Sequence, residues 1–408
     1  MIEEAKQILT KFANKIPPTV FGPERVKFIA DNIEQLTDNE KLQIIQFANH
    51  ILSLMIERQA SDVEIGGFGT QGYVWFRIYG KKERVKDLPT MNTDEAAVLI
   101  ISLLNKNQRN YLLEQRNLDF SYSFFYPKQN TNVRFRADAY FDLDTLALNM
   151  RAIQAKIRPI ESLEFHPLAI KTMSHNYIKF GLSLVTGITG SGKSTTLDAI
   201  IDYHNQFDPC HIVIIASPVE YVHTSKVSII KHREVGRDVL SFKDGVIQSL
   251  RQDPDIIVIG EMRDPDTIMA ALEVTDTGHK VFSTLHTSSA VESIDRIIAE
   301  VHPVEQERVR NRLADVLISV VSQKLVPSLD GKRVLAKEVL IVTPSVRAAI
   351  KNNNTSEIYM MINQGGPQGM ITMEQDLLRL YTERKISKEN AIAYANNKTR
   401  IMQLLKAV

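Results

Sequence analysis

A short glycine-rich segment that ends in lysine and serine carries the strongest chemical signal in the sequence. Residues 187–194 read GITGSGKS and fit the phosphate-binding pattern G-x-x-x-x-G-K-[ST]. Glycines lack the Cβ atoms that would keep the backbone away from phosphate, so successive N–H groups and the amino end of the following helix can face an anion. The pattern predicts that Lys193 reaches the β- and γ-phosphates and that the Ser194 hydroxyl binds Mg²⁺. A Gly-rich turn at a helix start is the alternative.

An acidic residue at the end of an apolar run is the second signal. The segment 254–264 reads PDIIVIGEMRD, and its apolar part, Ile256–Ile259, predicts a buried strand that ends at Gly260 and Glu261. In phosphate-loop enzymes an acid at such a strand end lies opposite the loop, where it assists Mg²⁺ or orients the attacking water. Glu261 is therefore the candidate for polarising that water; a solvated strand-end glutamate is the alternative.

Two histidines flank the next apolar run. The segment 277–290 reads TGHKVFSTLHTSSA, so His279 precedes the predicted strand and His286 follows it. His286 is a candidate for contact with the γ-phosphate. A histidine at a strand end is more often a polar group with an ordinary hydrogen-bond partner, and this alternative is stronger for His279.

The elements that would position these residues belong to a doubly wound α/β domain. From about residue 165 the apolar runs GLSLVTG, HIVIIAS, DIIVIGE and KVFSTLH alternate with helical stretches, which is typical of buried parallel strands. After about residue 300 we expect helices in VEQERVRNRLADVLISVVSQKLV, SVRAAIKNN and MEQDLLRLYTERKISKENAIAYANN.

The amino-terminal part predicts an α+β domain. Residues 1–60 favour helices, with Thr37 and Glu40 spaced as a capping box. From Ser61 the apolar period approaches two in DVEIGG, YVWFRIYG and VRFRADAY, which predicts strands, with a helix near 93–116. The glycines of 66–69 predict a turn, and Pro159 favours a linker.

Composition excludes several classes of protein. The 408 residues carry a net charge of +1 and one cysteine, Cys210, so a disulfide within the chain and a cysteine-cluster zinc site are excluded. No apolar run approaches the ~20 residues of a membrane span, and no signal peptide is evident, so we expect a cytoplasmic protein. The near-zero charge gives no reason to expect a nucleic-acid partner.

The motifs together resemble the PilT-type branch of the secretion and pilus ATPase superfamily. They comprise the phosphate loop, SPVEYVH, REVG, LRQDPDIIVIGEMRD and TGHKVFSTLHTSSAVESIDRII, and the resemblance extends from about Leu42 to ITMEQDLLRLYTERKIS near the end. It implies an α/β fold class, with a PAS-like α+β domain at 41–157, a linker at 158–163 and a RecA-like P-loop ATPase domain with a helical C-terminus at 164–408. Residues 1–40 would be a helical extension.

The resemblance also implies an activity and partners. Such proteins form homo-hexameric ring motors that hydrolyse ATP with Mg²⁺, and the PilT-type members drive type IV pilus retraction, and hence twitching motility, by domain rotation. They act on an inner-membrane pilus platform protein, and so associate peripherally with the cytoplasmic face of the membrane. A motor for type IV secretion or another pilus-like system, and a weakly hydrolysing accessory ring subunit, remain alternatives. A nucleic-acid translocase is disfavoured by the charge.

Site residues follow from the same resemblance. Glu261 would be the catalytic glutamate, and Glu220 would be a second catalytic acid. The histidine box would comprise Thr277, Gly278, His279 and His286, of which His286 is assigned to catalysis. Arg136 and Arg151 would reach the γ-phosphate from the amino-terminal domain and take part in catalysis. The nucleotide would be bound by Gly187, Thr189, Gly190, Ser191, Gly192, Lys193, Ser194 and Thr195, with His279 also assigned to nucleotide binding.

Two segments depart from the family pattern. The acidic box E-D-P-x-E appears here as Ala216-Ser217-Pro218-Val219-Glu220, so that of its acids only Glu220 remains. Alanine cannot hold a metal-bound water, and we therefore expect turnover below that of a member with the full box. The segment 345–352, SVRAAIKN, also differs from the PilT-type A-I-R-N-L-I-R-E.

Overall fold

The chain divides into two compact units. The computed structural model describes residues 2–153 and 157–407. One unit comprises Met1–Ala155 with Ser217–Tyr221, and the other comprises Lys156–Ala216 with Val222–Val408. The predicted 41–157 domain includes residues 154–156, which lie outside the described residues. Its boundaries and those of the predicted linker stay predictions.

The first unit is built on an antiparallel sheet. Its elements are α1 (Ile2–Ala13), α2 (Pro23–Asn32), α3 (Asp38–Glu57), β1 (Ala60–Gly66), β2 (Trp75–Ile78), β3 (Lys81–Arg84), α4 (Thr93–Ser102), α5 (Lys106–Gln115), β4 (Asn117–Tyr126), β5 (Thr131–Asp142) and β6 (Thr145–Ala152). The described strands lie in the order β3-β2-β1-β6-β5-β4, each antiparallel to its neighbours. This confirms the predicted α+β class.

One face of this sheet forms the core of the unit. Side chains alternate between the two faces of a strand, and the residues that point inward include Val63, Phe135 and Leu148. Helix α1 packs on α3 and α4, so the first forty residues contribute Leu9 and Ile29 to the same core. The capping box at the start of α3 is present as predicted, and the predicted turn contains two glycines with positive φ.

The second unit is built on a mainly parallel sheet. Its elements are α6 (Pro167–Met173), β7 (Gly181–Thr186), α7 (Lys193–Phe207), β8 (His211–Ala216), β9 (Ile229–Glu234), α8 (Phe242–Ser249), β10 (Ile256–Ile259), α9 (Pro265–Asp276), β11 (Lys280–Leu285), α10 (Ala290–Glu300), α11 (Gln306–Val316), β12 (Leu317–Pro327), β13 (Arg333–Ile341), α12 (Pro344–Lys351), α13 (Ile358–Gln364), α14 (Met373–Thr382), α15 (Lys388–Tyr394) and α16 (Lys398–Lys406). The described strands lie in the order β13-β12-β7-β11-β10-β8-β9, and β13 alone among them pairs antiparallel.

Both faces of this sheet are covered. Ile257 and Ile259 pack into a core with helices α9, α10 and α11, whereas Ile256 and Val258 pack into another with α6 and α7. Strands that are buried on both faces have continuous apolar sequences, as the runs in this part of the chain do. The helices on both faces of the sheet confirm the predicted doubly wound fold. Within the predicted linker, Ile160 and Leu163 are buried in the second of these cores.

One helix prediction is wrong. The sequence predicts a single helix over 304–326, but α11 ends at Val316 and strand β12 begins at Leu317. Strand β12 pairs with β7 on one side and β13 on the other. Its β-branched residues, among them Val320 and Val321, suit a strand that is buried on both faces. Pairing with distant strands therefore overrides the helical periodicity that continues from α11.

No helix within the described residues is long and apolar enough to cross a lipid bilayer.

Candidate active site

The phosphate loop connects the end of β7 to the start of α7, as the sequence predicts. Gly187 is sterically required, because a Cβ atom there would lie 2.3 Å from Ser191 Oγ and 2.6 Å from the carbonyl oxygen of Gln323. At Gly190, with φ of 78°, a Cβ would have no protein atom within 4 Å. The space beside Gly190 is therefore open, as a loop that approaches a phosphate with its backbone requires.

Two side chains, Lys193 and Gln323, hold the backbone of the loop by hydrogen bonds to its carbonyl oxygens. The Lys193 ammonium donates to the carbonyl oxygens of Gly187 at 2.7 Å and Ile188 at 3.2 Å, so the charge lies over the loop. Gln323 of β12 donates from Nε2 to the Ser191 carbonyl oxygen at 2.8 Å. The Ser191 hydroxyl is buried and has no hydrogen-bond partner among the described residues, which fits a loop that binds an oxygen-rich ligand.

Ser194 and Thr195 lie in the first turn of α7, and both are accessible to solvent. Hydroxyl and carboxylate oxygens are the ligands that Mg²⁺ prefers. The Ser194 hydroxyl and the Glu261 carboxylate are of this kind, so the donor set of the site would suit Mg²⁺, and the role of Ser194 as its ligand stays a prediction. Backbone N–H groups at the amino end of this helix add a partial positive charge.

Three parallel strands bring the predicted residues together at one edge of the sheet. Strand β7 leads into the loop. Strand β11 lies next to it and ends at Leu285, one residue before His286, and β10 follows and ends at Ile259, two residues before Glu261. Neighbouring strands are about 4.8 Å apart. The His286 Nε2 atom lies 3.7 Å from Glu261 Oε2. Thus Lys193, His286 and Glu261 belong to one site.

Electrostatics keep His286 neutral. Burial lowers the pKa of this imidazole, and the positive charges of Lys193, Arg263 and Arg296 lower it further, against the attraction of Glu261. The Arg296 guanidinium also donates to the His286 carbonyl oxygen at 2.9 Å. A neutral imidazole can donate one hydrogen bond and accept another, which suits a side chain that contacts phosphate or water.

His279 lies at the opposite edge of the sheet. Lys280 pairs with Gly181 at the start of β7, whereas Leu285 pairs with Thr186 at its end. His279 is therefore about 17 Å along the strands from the loop edge, at ~3.3 Å per residue. Its Nδ1 atom lies 2.9 Å from Thr277 Oγ1. Within the second unit, His279 and its neighbours Thr277 and Gly278 are not brought to the phosphate loop.

The two predicted arginines are direct cross-strand neighbours in the first unit. Arg136 of β5 and Arg151 of β6 are paired in the register, and both point away from the core. Arg151 Nε lies 2.7 Å from the carboxylate of Asp62. Arg136 lies 3.4 Å from Asp119 and 3.7 Å from Glu220. Like charges directly opposite each other on neighbouring strands repel, and a bound anion would reduce this repulsion. The arginine pair is therefore a candidate anion-binding site.

Asp62 is the buried counter-charge. Burial by itself raises the pKa of this carboxyl, but hydrogen bonds from Ser61 and Arg151 and the charge of Arg77 bring the pKa below its usual value. The carboxylate is therefore ionised at neutral pH. Its ion pair holds the Arg151 side chain in one orientation.

Ala216, the first residue of the altered acidic box, borders the segment that carries Glu261. A Cβ atom on Gly260 would lie 3.4 Å from the Ala216 Cβ, so position 216 is adjacent to the residue that precedes Glu261. Glu220 lies in the segment Ser217–Tyr221, which clusters with the first unit. The acid that Ala216 replaces would therefore have stood beside the Glu261 loop.

Residues that the sequence did not single out also shape the site. Gln323, Thr284 and Arg263 contact the loop or the Glu261 segment. Arg263 lies within the GEMRD motif and is visible in the sequence as a charge two residues after Glu261. Gln323 gave no local signal, because its role depends on β12 lying beside β7.

A phosphate loop on one parallel strand, with an acidic strand end two strands away, is the arrangement of P-loop ATPases. The fold and the site define this chain as such an ATPase, with a RecA-like core. Residues 37–403 match the family model described as Type II/IV secretion system protein. The chain therefore belongs to the Type II/IV secretion system protein family.

Characterised relatives are similar over most of their length. A protein of Neisseria gonorrhoeae named "Twitching motility protein" is 39% identical over 79% of this chain and 84% of its own. The "Type IV pilus retractation ATPase PilT" of Pseudomonas aeruginosa is 38% identical over 84% of this chain and 96% of its own. The crystal structure of the pilus retraction motor PilT with bound ADP superposes with a TM-score of 0.76 at 35% identity, covering 86% of this chain and 98% of that one.

Proposed function

We propose that this chain is the ATP-hydrolysing subunit of a homo-hexameric motor that drives type IV pilus retraction. The observation that carries the proposal is its 38–39% identity, over most of both chains, to proteins named for twitching motility and pilus retraction. The motor acts on an inner-membrane pilus platform protein, and so works at the cytoplasmic face of that membrane. No nucleic acid takes part.

The phosphate loop binds the triphosphate of ATP through its backbone N–H groups. Lys193 exchanges its contacts with the Gly187 and Ile188 carbonyl oxygens for contacts with the β- and γ-phosphates. The Ser194 hydroxyl, supported by Glu261, would hold Mg²⁺, which would supply charge neutralisation at the phosphate oxygens.

Glu261 orients and polarises the attacking water. Its carboxylate lies at the end of β10, beside the neutral His286. His286 contacts the γ-phosphate and reports its presence to α10, since its carbonyl oxygen accepts from Arg296 of that helix. Positioning of the water and charge stabilisation are the main work of a phosphoryl-transfer enzyme, because little covalent chemistry falls to the protein.

Arg136 and Arg151 supply charge to the γ-phosphate in the transition state. The support is their direct cross-strand pairing, which concentrates two permanent positive charges at one point of the sheet. A guanidinium binds phosphate oxygens bidentately. The ion pair between Arg136 and Glu220 must then open when the arginine contacts nucleotide, which couples nucleotide state to domain movement.

A weakly hydrolysing accessory subunit is a second candidate, favoured by one observation. Ala216 stands against Gly260, beside Glu261, where the family pattern has an acid. Loss of that acid removes a group that would hold water or Mg²⁺ near the γ-phosphate. Such a subunit would assemble and bind ATP but turn it over slowly next to a more active relative.

Retraction is tested in the organism that encodes the chain. Deletion should abolish twitching and increase the number of surface pili, because assembly continues without removal. The wild-type gene should restore both, and Lys193→Ala should restore neither, since it removes the cation of the phosphate loop. Lys226→Ala is the matched control, because this lysine pairs with Asp202 on the far part of α7 and should leave function intact.

Three results separate the alternatives. Unchanged twitching and pilus number in the deletion strain would rule out retraction. Loss of protein secretion with normal pilus dynamics would indicate a secretion motor instead. Full complementation by Lys193→Ala would indicate that ATP turnover by this chain is dispensable, as expected for the accessory subunit.

A further inference from the structure

The segment that carries Glu261 is fixed on both sides by one residue of the neighbouring strand. The Thr284 hydroxyl donates to the Gly260 carbonyl oxygen at 2.7 Å, and the Met262 N–H donates to the Thr284 carbonyl oxygen at 3.2 Å. The Gly260 N–H donates to Ile215 of β8 at 2.8 Å. The backbone on either side of Glu261 is therefore held, but these bonds do not orient its side chain, which retains rotamer freedom.

The Glu261 carboxylate is held by a different residue. Arg263 Nε lies 2.7 Å from Glu261 Oε2, and His286 Nε2 lies 3.7 Å from the same oxygen. Among the described residues, the guanidinium makes the shorter of these two ion-pair contacts. The carboxylate oxygens keep lone pairs that can accept a hydrogen bond from a water.

Of the two neighbours, Arg263 alone carries a permanent charge. The charge of an imidazole depends on pH in the physiological range, whereas that of a guanidinium does not. The Arg263 contact, at 2.7 Å, is also shorter than the 3.7 Å contact of His286, so its Coulomb attraction is the stronger one. The guanidinium is therefore the closer and permanently charged partner of the carboxylate.

We propose that Arg263 is a positioning residue that orients the Glu261 carboxylate through its ion pair, so that the carboxylate is aimed at the attacking water. Arg263 acts through Glu261 and does not itself contact the substrate. Its side chain is 68% exposed, so packing does not account for its orientation. A misaligned base lowers the rate of the chemical step while leaving nucleotide binding intact. The inference rests on the role proposed above for Glu261.

The test compares Arg263→Gln with Arg263→Lys in steady-state ATP hydrolysis and in binding of a fluorescent ATP analogue. Arg263→Gln should lower kcat about tenfold or more and leave KM and the dissociation constant within about twofold. Arg263→Lys keeps the charge, so its kcat should be at least about threefold higher than that of Arg263→Gln. It should remain below wild type, because an ammonium lacks the planar geometry of a guanidinium.

The matched control is Arg308→Gln. Arg308 Nε lies 2.8 Å from Glu305 Oε2, and this arginine is 63% exposed, so the pair reproduces the length and exposure of the Arg263 pair at another place in the chain. Its kcat should equal that of the wild type. Because Arg263 is on the surface, thermal unfolding should change little in any of the three variants.

The inference is overturned if the kcat of Arg263→Gln is within twofold of wild type, or if ATP binding weakens in parallel with kcat. It is also overturned if Arg263→Lys has a kcat as low as that of Arg263→Gln, or if Arg308→Gln loses as much kcat as Arg263→Gln. Glu261→Gln keeps this outcome separate from the proposed role of Glu261. Normal hydrolysis by Glu261→Gln would remove that role itself. An inactive Glu261→Gln beside a fully active Arg263→Gln would remove only the inference.

Discussion

At the scale of single residues, the charged groups of this ATPase are held in ion pairs and hydrogen bonds with neighbouring residues. Glu261 pairs with Arg263, Arg151 pairs with Asp62, and Lys193 lies on loop carbonyl oxygens. Each charge is thus oriented before substrate binds, which lowers the reorganisation needed during reaction. The same pairs define which substitutions should affect rate rather than binding.

Arg151→Ala should lower hydrolysis at least about tenfold and leave ATP binding largely intact, because the arginine supplies transition-state charge from outside the phosphate loop. The measurements are steady-state hydrolysis and equilibrium binding of a fluorescent ATP analogue. Arg77→Ala is the matched control, since Arg77 is also a partner of Asp62, at 3.7 Å, but lies on β2, three strands from Arg136 on β5, whereas Arg151 lies on the adjacent strand. An unchanged rate would remove Arg151 from the mechanism.

Restoring the acidic box with Ala216→Glu and Ser217→Asp should increase ATP turnover. The new carboxylate at 216 would lie beside Gly260, and so next to Glu261, where it can hold water or Mg²⁺. The comparison is kcat of the double variant against the wild type at saturating Mg-ATP. Ala216→Gln with Ser217→Asn controls for side-chain volume without charge. If the acidic double variant gains nothing, the box does not limit turnover.

At the scale of elements, strand β12 connects the phosphate loop to the rest of the sheet. It lies next to β7, and its Gln323 contacts the loop through both the side-chain amide and the carbonyl oxygen that limits space at Gly187. The shape of the loop therefore depends on an element more than 120 residues away in sequence.

Gly187→Ala should abolish or strongly weaken nucleotide binding. The added Cβ would meet Ser191 Oγ and the Gln323 carbonyl oxygen, so the loop would have to move. Gly331→Ala is the control: Gly331 also has a positive φ, of 77°, but open space around its Cβ, so it carries the backbone strain without the clash. Equal binding by the two variants would contradict the steric requirement.

The buried carboxyl of Glu338 on β13 lies between the start of α10 and the carboxyl-terminal helix α14. Glu338 accepts from the Ala290 N–H at the start of α10 at 2.8 Å. Burial raises the pKa of Glu338 to about 7, the Ala290 hydrogen bond opposes this, and the nearby charge of Glu374 in α14 adds to it. Asn396 donates to the Ser288 carbonyl oxygen in the same region.

Glu338 predicts a pH dependence of stability with a definite sign. Because its pKa is about 7 in the folded chain and 4.5 for an ordinary solvated glutamate, the unfolded chain binds fewer protons between these values. The free energy of unfolding should therefore fall as pH rises from about 4.5 to 7, by an amount on the order of 3 kcal/mol. Glu338→Gln should remove this dependence.

Denaturant unfolding of the wild type and Glu338→Gln at about pH 5 and about pH 8 tests the sign. The two proteins should be similar at the lower pH, and the variant should be the more stable at the higher one. Glu300→Gln, at an exposed position at the end of α10, controls for removal of a carboxylate. A variant that is less stable at the higher pH would contradict the prediction.

At the scale of the whole molecule, two units carry complementary parts of the proposed reaction. The second unit contains the phosphate loop, Glu261 and His286, whereas the first contains Arg136 and Arg151. Neither set is a complete phosphoryl-transfer site, because nucleotide binding and the additional arginine charge reside in different units. Movement of one unit relative to the other is thus the proposed link between hydrolysis and force.

The proposed ring predicts a particle of about six times the chain mass of 46.2 kDa in the presence of Mg-ATP. Light scattering after size-exclusion chromatography measures this mass directly. Hydrolysis per chain should rise with protein concentration as the ring forms, since ring closure brings each site next to a neighbouring subunit. A monomer at every concentration that still hydrolyses ATP at full rate would contradict the hexamer.

The sequence by itself determined the features that depend on local pattern. Glycine spacing defined the phosphate loop, and continuous apolar runs defined β7, β8, β10 and β11, because a strand buried on both faces has no polar alternation. Glu261 and His286 followed as the residues at the ends of two such runs. The capping box of α3 followed from the spacing of its two side chains.

Only the tertiary structure decided the features that depend on distant pairing. The helical period of 304–326 gave no sign that β12 begins at Leu317, because its stability comes from β7 and β13. The cross-strand pairing of Arg136 with Arg151 and the position of His279 at the far edge of the sheet likewise depend on strand register. Local periodicity reports one chain segment, whereas register is determined by which other segment lies beside it.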